Sequence, residues 1–276
     1  MAGVLDLVRQ VSIDYTMATT ARTDQATMTD SATTDLIWLC GDVHGNLTAL
    51  QRALQSEPSP PEAIFFLGDM DPPEPIGPWL RQAVGEYAPF WWIHGNHEVD
   101  TEQRSRDTFD SPGIECNIDG QVVEIQGLRI AGLGGIFRKE IWMPPARPLF
   151  QHFEDYKMHL RGLGPKEPFA DGKRRTHRSS IFPDVYDALA EQSADVLLIH
   201  DAPSCHPHGN AAYDDLAQVM GVRWVAHGHH HDARDYSADT PRLGFQTIGV
   251  GKRGITTLAG RCVVAGESDA RRSGHH

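Results

Sequence analysis

Five short apolar runs, each followed directly by a polar motif, are the feature that most constrains how this sequence can fold. The runs are bulky and largely uncharged, as strands buried on both faces of a sheet should be. They cover residues 36–40, 63–67, 90–93, 196–199 and 222–226. Because α/β sheets bind ligands beyond the carboxyl ends of their strands, we expect the polar motifs to meet at one site.

The polar motifs combine carboxylate, amide and imidazole side chains. They read Gly41-Asp42-Val43-His44-Gly45, Gly68-Asp69, Gly95-Asn96-His97-Glu98, His200-Asp201 and His227-Gly228-His229-His230-His231. This mixture suits divalent ions of intermediate hardness such as Mn²⁺, Zn²⁺ or Fe, whereas structural zinc sites are typically built from paired cysteines. The four cysteines of the chain have no such spacing. We therefore predict a centre with two divalent metal ions that acts hydrolytically, with phosphorus as the electrophile.

Taken in order, these motifs match D-x-H, G-D, G-N-H-[D/E], an isolated H and G-H-x-H, the pattern of the calcineurin-like metallophosphoesterases. The chain resembles that family from Asp42 to His231. The resemblance implies an α/β fold, a four-layer αββα sandwich of two mixed β-sheets flanked by helices, with a dimetal site at the C-terminal strand ends. It also implies hydrolysis of phosphate esters by a metal-bridging hydroxide that attacks phosphorus in line.

The resemblance also assigns roles to individual positions. One metal would be held by Asp42, His44 and His231, and the second by Asn96, His200 and His229. Asp69 would bridge the two ions. His97 would not be a ligand, since the corresponding histidine of the family contacts the phosphate and is the candidate acid for the leaving group.

Four further residues lie next to these motif positions. Glu98 and Asp201 are expected either to orient ligand imidazoles or to serve as a helix N-cap or turn residue, and the two alternatives remain open. His227 and His230 flank the G-H-x-H positions. Because alternation along a strand turns them away from His229 and His231, we interpret both as supporting or packing residues.

Two narrower resemblances bear on the substrate. Residues 127–138, 177–180 and 199–203 are similar to stretches of RNA lariat debranching enzymes, but Asp42 is retained where that family commonly has Cys. Residues 41–45 and 95–98 also resemble the protein Ser/Thr phosphatases. The second motif of that family is G-D-x-x-D-R-G, but residues 68–73 of this chain read G-D-M-D-P-P and lack the phosphate-contacting Arg. We therefore discount phosphoprotein phosphatase activity. Between diesters and monoesters, we favour a phosphodiester substrate. The alternatives are a phosphomonoesterase, a debranching-like nuclease and a metal-binding scaffold without catalysis. The retention of His97 argues against the scaffold.

The formal net charge of −12 argues against non-specific binding to long nucleic acid. A phosphorylated small molecule or a nucleotide fits better, because the bound ions would make the pocket itself positive. One basic run stands out at residues 173–178. We name Arg174, Arg175 and Arg178 as candidate substrate-binding residues, with a solvated loop as the alternative.

The organisation of the chain follows from its composition and breaks. Residues 1–34 are predicted to be a disordered leader, 35–265 the metallophosphoesterase domain with a site-facing insertion at 99–180, and 266–276 a disordered tail. A hairpin is expected over 121–133, and two final strands of the second sheet over 243–258. The sequence has no apolar run of membrane-spanning length and no signal-peptide core, so we predict a cytoplasmic protein of undetermined oligomeric state.

Overall fold

The computed structural model describes residues 33–162 and 170–269, and within them the chain forms two five-stranded sheets. The strands of the first sheet are β1 (Ile37–Cys40), β2 (Ala63–Phe66), β3 (Phe90–Trp92), β9 (Ile255–Thr257) and β10 (Cys262–Val264). Those of the second are β4 (Val122–Ile125), β5 (Leu128–Leu133), β6 (Val196–Ile199), β7 (Trp224–His227) and β8 (Gln246–Gly249). The strand orders are β10-β9-β1-β2-β3 and β4-β5-β6-β7-β8.

Each sheet mixes parallel and antiparallel strands, as predicted. In the first, β1, β2 and β3 are parallel, and β9 runs antiparallel to β1. In the second, β5 to β8 are parallel, and β4 pairs antiparallel with β5 as the expected hairpin. The parallel segments contain all five apolar runs, because strands covered on both faces have no solvent side that requires polar residues.

Helices lie against both sheets and within the insertion. They are α1 (Thr48–Ser56), α2 (Ile76–Val84), α3 (Glu102–Phe109), α4 (Phe153–Gly162), α5 (Ala170–Thr176), α6 (Pro183–Ala190), α7 (Ala211–Met220) and the short α8 (Thr240–Leu243). Side chains of β1 show how the layers form. Ile37 and Leu39 pack between the two sheets, whereas Trp38 and Cys40 pack with α1 and α2 on the other face. Together with α6 and α7 on the second sheet, this gives the predicted αββα sandwich.

The insertion between the third and fourth motifs contains more regular structure than its sequence indicates. Besides the hairpin it includes α3, α4 and α5. A small apolar cluster joins Ile141, Tyr156 and Leu160 of the insertion to Phe182, which follows it. Short helices that bury only a few residues show little periodicity, which explains why the sequence pattern did not reveal them.

The last strands depart from the prediction, because β9 belongs to the first sheet and only β8 extends the second. The chain crosses between the sheets through the segment that follows β8. There, Gly41 N donates to Gly254 O at 3.2 Å and Arg253 N donates to Gly41 O at 2.9 Å. Arg253 has a left-handed φ of 55°. This tight crossover brings β9 against β1, and no local sequence pattern specifies which sheet edge a strand joins.

The predicted leader lies outside the described residues up to position 32, and the predicted tail lies outside them from position 270. Asp269 is described, and its Oδ1 accepts a hydrogen bond from Ala233 N at 3.1 Å. Across residues 33–162 and 170–269, the structure contains no helix both long enough and apolar enough to cross a bilayer.

Candidate metal centre

The five polar motifs follow the carboxyl ends of β1, β2, β3, β6 and β7, so both sheets contribute to one site. Two groups of side chains that could hold a cation meet there. They are His44 with Asp69 and His231, and Asp69 with His200 and His229. Each group keeps its ligand atoms within 4.8 Å of one another. Asp69 is common to both, as the assignment of a bridging carboxylate requires.

In the first group, two imidazole nitrogens face each other. His44 Nε2 and His231 Nε2 are 3.2 Å apart. The other nitrogen of His44, Nδ1, lies 2.8 Å from Asp71 Oδ2, and an ionised carboxylate can only accept. Nδ1 therefore donates, and Nε2 presents its lone pair to the site, the arrangement typical of a metal-binding histidine supported by a carboxylate.

The second group also contains a histidine with one ring nitrogen bound to the protein and the other facing the site. His200 Nδ1 donates to Leu67 O at 2.7 Å, which leaves the Nε2 lone pair directed at the site. That Nε2 lies 3.3 Å from Asp69 Oδ1 and 3.2 Å from Asn96 Oδ1. Asn96, predicted as a ligand, is thus adjacent to this group. Oxygen and nitrogen atoms that carry lone pairs converge here.

The converging lone pairs test whether the residues fit metal ions. Facing lone pairs repel unless a proton or a cation lies between them. Asp69 Oδ2 and His229 Nδ1 are buried and have no hydrogen-bond partner within residues 33–162 and 170–269. A buried carboxylate oxygen left in this state is costly, and a cation would satisfy it. The donor set of carboxylate, imidazole and amide therefore fits divalent ions of intermediate hardness.

Asp42 lies beside the two groups rather than within either. Its carboxylate is fully buried, and both oxygens accept from His229 N, at 3.0 and 2.9 Å. Burial raises the pKa of Asp42 to about 7, with Asp69 adding to this effect and His200 opposing it. A cation beside Asp42 would favour its ionised form. The structure thus places Asp42 next to the ligand groups, bound to the backbone of one of them.

Asp69 is held by the backbone of the third motif. Its Oδ1 accepts from Asn96 N at 2.8 Å and from His97 N at 2.9 Å. Burial opposes ionisation, but His200 and these hydrogen bonds outweigh it and hold the pKa of Asp69 well below its usual range. In turn, burial disfavours the His200 imidazolium, yet the attraction of Asp69 raises the pKa of His200 to about 10. Without a metal ion, a proton on Nε2 therefore occupies the position at which the neutral imidazole would present its lone pair to a cation. The carboxylates thus favour positive charge at this point.

The backbone around the site is unusual. Left-handed φ angles occur at the non-glycine residues Asp42, His44, Asp69, Asp71, His229 and His231. Such conformations cost free energy and cluster at functional sites, where they direct side chains that regular structure would separate. The motif glycines permit close packing: a Cβ on Gly68 would lie 2.4 Å from His200 Nδ1, and one on Gly95 would lie 2.2 Å from Asp69 Oδ1.

Glu98 has a role that differs from both expectations, because its carboxylate binds backbone amides and neither orients a ligand imidazole nor caps a helix. Its buried carboxylate accepts from Met70 N at 2.6 Å and from Gly95 N at 2.9 Å. Glu98 therefore joins the loop of Asp69 to the loop of Asn96. It is not the N-cap of α3, which is Thr101.

Asp201 both orients an imidazole and closes a turn. Its Oδ1 lies 3.1 Å from His230 Nε2 and accepts from Ala202 N at 2.8 Å. The His230 ring stacks on His206 with ring centroids 3.8 Å apart. His227 is buried, and its Nε2 lies 3.0 Å from Tyr236 Oη. These contacts agree with supporting or packing roles for His227 and His230, although Asp201, His229 and His230 also form a further group that could hold a cation.

His97 faces the site from outside both groups. Its Nδ1 lies 2.7 Å from Asp100 Oδ2, and its Nε2 lies 3.9 Å from Asp69 Oδ2. Burial opposes protonation of His97, but Asp100 and Asp69 outweigh it and raise its pKa. The side chain is 42% exposed, so it can reach a bound ligand. A protonated imidazole in this position can donate to a leaving group.

The arginines of the basic run at residues 173–178 contact different partners. Arg174 pairs with Asp171, and Arg178 pairs with Asp110 at 2.7 Å and lies over the ring of Phe109. Arg175 Nε instead donates to Val99 O at 2.9 Å. Only Arg175 of the three candidate substrate-binding arginines therefore contacts the loop that follows His97.

Sequence reasoning missed three residues that support the site, namely Asp71, Asp100 and Arg104. Arg104 Nη1 lies 3.1 Å from Asp71 Oδ1 and 3.3 Å from Asp100 Oδ2. Asp71 and Asp100 lie two and three residues beyond Asp69 and His97. A search for carboxylates within three residues of the motif positions would have found both.

Comparison with known proteins gives a family, a sequence relative and a solved structure that resemble this chain. The family model of the calcineurin-like phosphoesterases matches residues 36–233. A Haemophilus influenzae protein, described as uncharacterized, is 36% identical over 218 residues, which cover 77% of this chain and 92% of the relative. A solved structure, that of TT1561 of Thermus thermophilus, is 15% identical with a TM-score of 0.48 and covers 80% of this chain and 93% of that one.

The αββα fold and the motif-bearing strand ends define a metallophosphoesterase. The chain belongs to the calcineurin-like phosphoesterase family, whose members are hydrolases that act on phosphate esters. Members of this family generally bind divalent metals, and the His and Asp groups described above could hold them.

Proposed function

We propose that this protein is a dimetal phosphodiesterase that cleaves a phosphorylated small molecule or a nucleotide. The observation that supports this most strongly is the pair of ligand groups that share Asp69, with His97 beside them. Asp42, His44 and His231 would hold one ion, and Asn96, His200 and His229 the other. Two divalent ions bound there would lower the pKa of a water nucleophile and neutralise charge that develops on the phosphoryl oxygens.

The chain's own residues would then perform three tasks. Asp69 keeps the two ligand groups in register through its hydrogen bonds to the backbone of Asn96 and His97. Glu98 fixes the distance between the loops that bear Asp69 and Asn96. His97 contacts the phosphate and delivers a proton from Nε2 to the departing oxygen, while Asp100 accepts from Nδ1 and maintains the ring orientation.

The charge around the centre favours a diester over a monoester. A monoester dianion carries one more negative charge than a diester and needs an additional cation. Two guanidinium groups adjoin this side of the site, and both are already engaged. Arg104 Nη1 is shared by Asp71 and Asp100. Arg253 Nη2 donates to His44 O at 3.4 Å, and its Nη1 pairs with Glu267 at 2.6 Å. A singly charged diester therefore fits this side of the site better. The phosphomonoesterase alternative predicts the opposite preference.

The donor set supports Mn²⁺, Fe or Zn²⁺ as the ions, because imidazole and carboxylate ligands are mixed. We propose to remove metal with a chelator and reconstitute with each ion in turn. Hydrolysis of bis(p-nitrophenyl) phosphate and of p-nitrophenyl phosphate is then compared at equal metal occupancy. A higher kcat/KM for the diester supports the proposal. A higher value for the monoester supports a phosphatase, and inactivity on both with full metal occupancy supports a non-catalytic protein.

A further inference from the structure

A cleft of about 960 Å³ is lined by residues of α4 and α5 and of the segments that precede and follow them. Its lining within the described part of the chain combines cations with an apolar wall. The cations are Arg138, Lys173 and Arg175, and the wall includes Phe150, Tyr156 and Leu160. In a protein of formal net charge −12, this local excess of positive charge is a specific feature.

The two arginines of this cleft are anchored through backbone carbonyls. Arg175 Nε donates to Val99 O at 2.9 Å. Arg138 Nη1 donates to Ser179 O at 2.6 Å and to Ser180 Oγ at 3.0 Å. Within residues 33–162 and 170–269, neither Arg138 nor Arg175 forms an ion pair with a carboxylate. Both guanidinium groups are therefore oriented by neutral oxygen atoms.

Neighbouring arginines provide the contrast. Arg174 pairs with Asp171 one turn earlier, and Arg178 is bound at both Nη atoms by Asp110, at 2.7 and 2.8 Å. Their charges are compensated within the protein. Glu140, the acidic residue of the cleft lining, lies 4.0 Å from Lys139 Nζ. An anion that enters this cleft thus encounters charges that the fold has left available at Arg138 and Arg175.

The cleft adjoins the loop that bears His97. Burial lowers the pKa of Arg138, whereas Glu140, Asp69 and Asp100 act to raise it, so its guanidinium senses the proposed bridging carboxylate. Val99, which accepts from Arg175, follows His97 by two residues. A ligand bound to these arginines would lie next to the loop that bears the proposed leaving-group acid.

The apolar wall indicates what accompanies the anion. The Phe150 ring lies 5.1 Å from that of Tyr156 and 5.2 Å from that of His159, measured between centroids. Leu149 on the same wall is 66% exposed. Aromatic and apolar surface beside oriented guanidinium groups suits a planar, heteroaromatic group that bears phosphate.

We infer that this cleft binds the nucleoside and a second phosphate of a nucleotide substrate whose scissile phosphodiester lies at the metal centre. The inference rests on the proposed function and specifies its substrate class. Arg138 and Arg175 would bind the second phosphate, and the wall of Phe150 and Leu149 would contact the base. Arg174 and Arg178 lie outside this binding site.

The test compares two diesters with the same reacting centre in the metal-reconstituted enzyme. They are thymidine 5′-(p-nitrophenyl phosphate) and its 3′-phosphorylated form. The additional phosphate should lower KM about tenfold in the wild type, since charge-assisted hydrogen bonds contribute at least this much. Arg175→Gln and Arg138→Lys should reduce that difference, whereas the matched variant Arg174→Gln should keep it. Equal KM values for both substrates in the wild type, or equal effects of Arg174→Gln and Arg175→Gln, would overturn the inference.

A binding measurement separates this inference from the proposed function. Thymidine 3′,5′-bisphosphate is titrated calorimetrically into the metal-free protein, in which no hydrolysis can occur. Binding that weakens about tenfold in Arg175→Gln and is unchanged in Arg174→Gln supports the cleft even if the reconstituted enzyme is inactive. Absence of binding to the wild type, or equal binding by both variants, contradicts it.

Discussion

His97 is oriented by Asp100, since Nδ1 of the imidazole donates to the carboxylate at 2.7 Å. Asp100 is bound in turn by Arg104, whose Nη1 lies 3.3 Å from Asp100 Oδ2 and 3.1 Å from Asp71 Oδ1. Asp71 accepts from His44 Nδ1 at 2.8 Å. A continuous chain of polar contacts therefore joins the proposed leaving-group acid to a proposed metal ligand.

Arg104→Gln tests this chain. Loss of the guanidinium frees both carboxylates, so we expect kcat to fall by about tenfold, within the range found for residues that support metal sites, with little change in KM. Poor leaving groups should be affected more than p-nitrophenolate. Arg106→Gln is the matched control, because Arg106 lies on the same helix with its side chain 58% exposed and 3.9 Å from Glu102. Equal kinetic effects of the two substitutions would contradict the positioning role.

His97→Ala should keep both metals and lower kcat by roughly 10²–10⁴-fold, the contribution of a positioned general acid. The loss should shrink for esters with good leaving groups, because these depart without protonation. Metal content is measured on the same samples by atomic emission. If activated and unactivated esters lose activity equally, His97 positions the phosphate and does not donate a proton.

Asp69→Asn should lower kcat more than the substitution of any other single proposed ligand. The reason is that Asp69 belongs both to the group with His44 and His231 and to the group with His200 and His229. The amide keeps the size of the side chain but removes its charge. Metal content should decrease together with kcat. A variant that retains two ions per chain and most of its activity would contradict the bridging assignment.

The buried His177 should make stability depend on pH. Burial and the nearby Arg138 lower its pKa to about 4, from 6.5 in the unfolded chain, and its Nδ1 lies 2.9 Å from Ser180 Oγ. Between these pH values the unfolded state binds a proton that the folded state does not. The free energy of unfolding is therefore unaffected by His177 above pH 6.5 and decreases as the pH falls toward 4. At pH 5 the loss is on the order of 2 kcal/mol.

Urea unfolding of the wild type and His177→Gln at pH 7 and pH 5 measures this effect. Glutamine offers a polar group to Ser180 but does not titrate. The wild type should lose more stability than the variant on acidification, and the difference between them isolates His177 from other buried histidines. Parallel losses in both proteins would assign the acid sensitivity elsewhere.

Much of the fold was predictable because buried parallel strands have a strong local signature. The apolar runs before Asp42, Asp69 and Asn96 needed no tertiary information, and the family pattern supplied the two-sheet architecture. The edge position of β9 was not predictable. It depends on the crossover near Gly254, and a short strand pairs with whichever edge the preceding turn brings it to.

The side chains around the site divide in the same way. The resemblance to the family implies the ligand positions, and the structure brings His44, Asp69, His200, His229 and His231 together. The roles of Arg138 and Arg104 could not be predicted, because each acts through residues distant in the sequence. Left-handed φ at His229 and Asp69 is equally invisible in composition, since it is imposed by the packing of several loops.

The most direct test of the account is the crystal structure of the protein grown with Mn²⁺, with anomalous scattering used to locate the ions. We predict two peaks about 3.5–4 Å apart, the separation of two-metal hydrolytic centres, with Asp69 between them. His44 and His231 should bind one ion and His200 and His229 the other. A single ion, or an ion held by Asp201, His229 and His230 instead, would contradict the central claim.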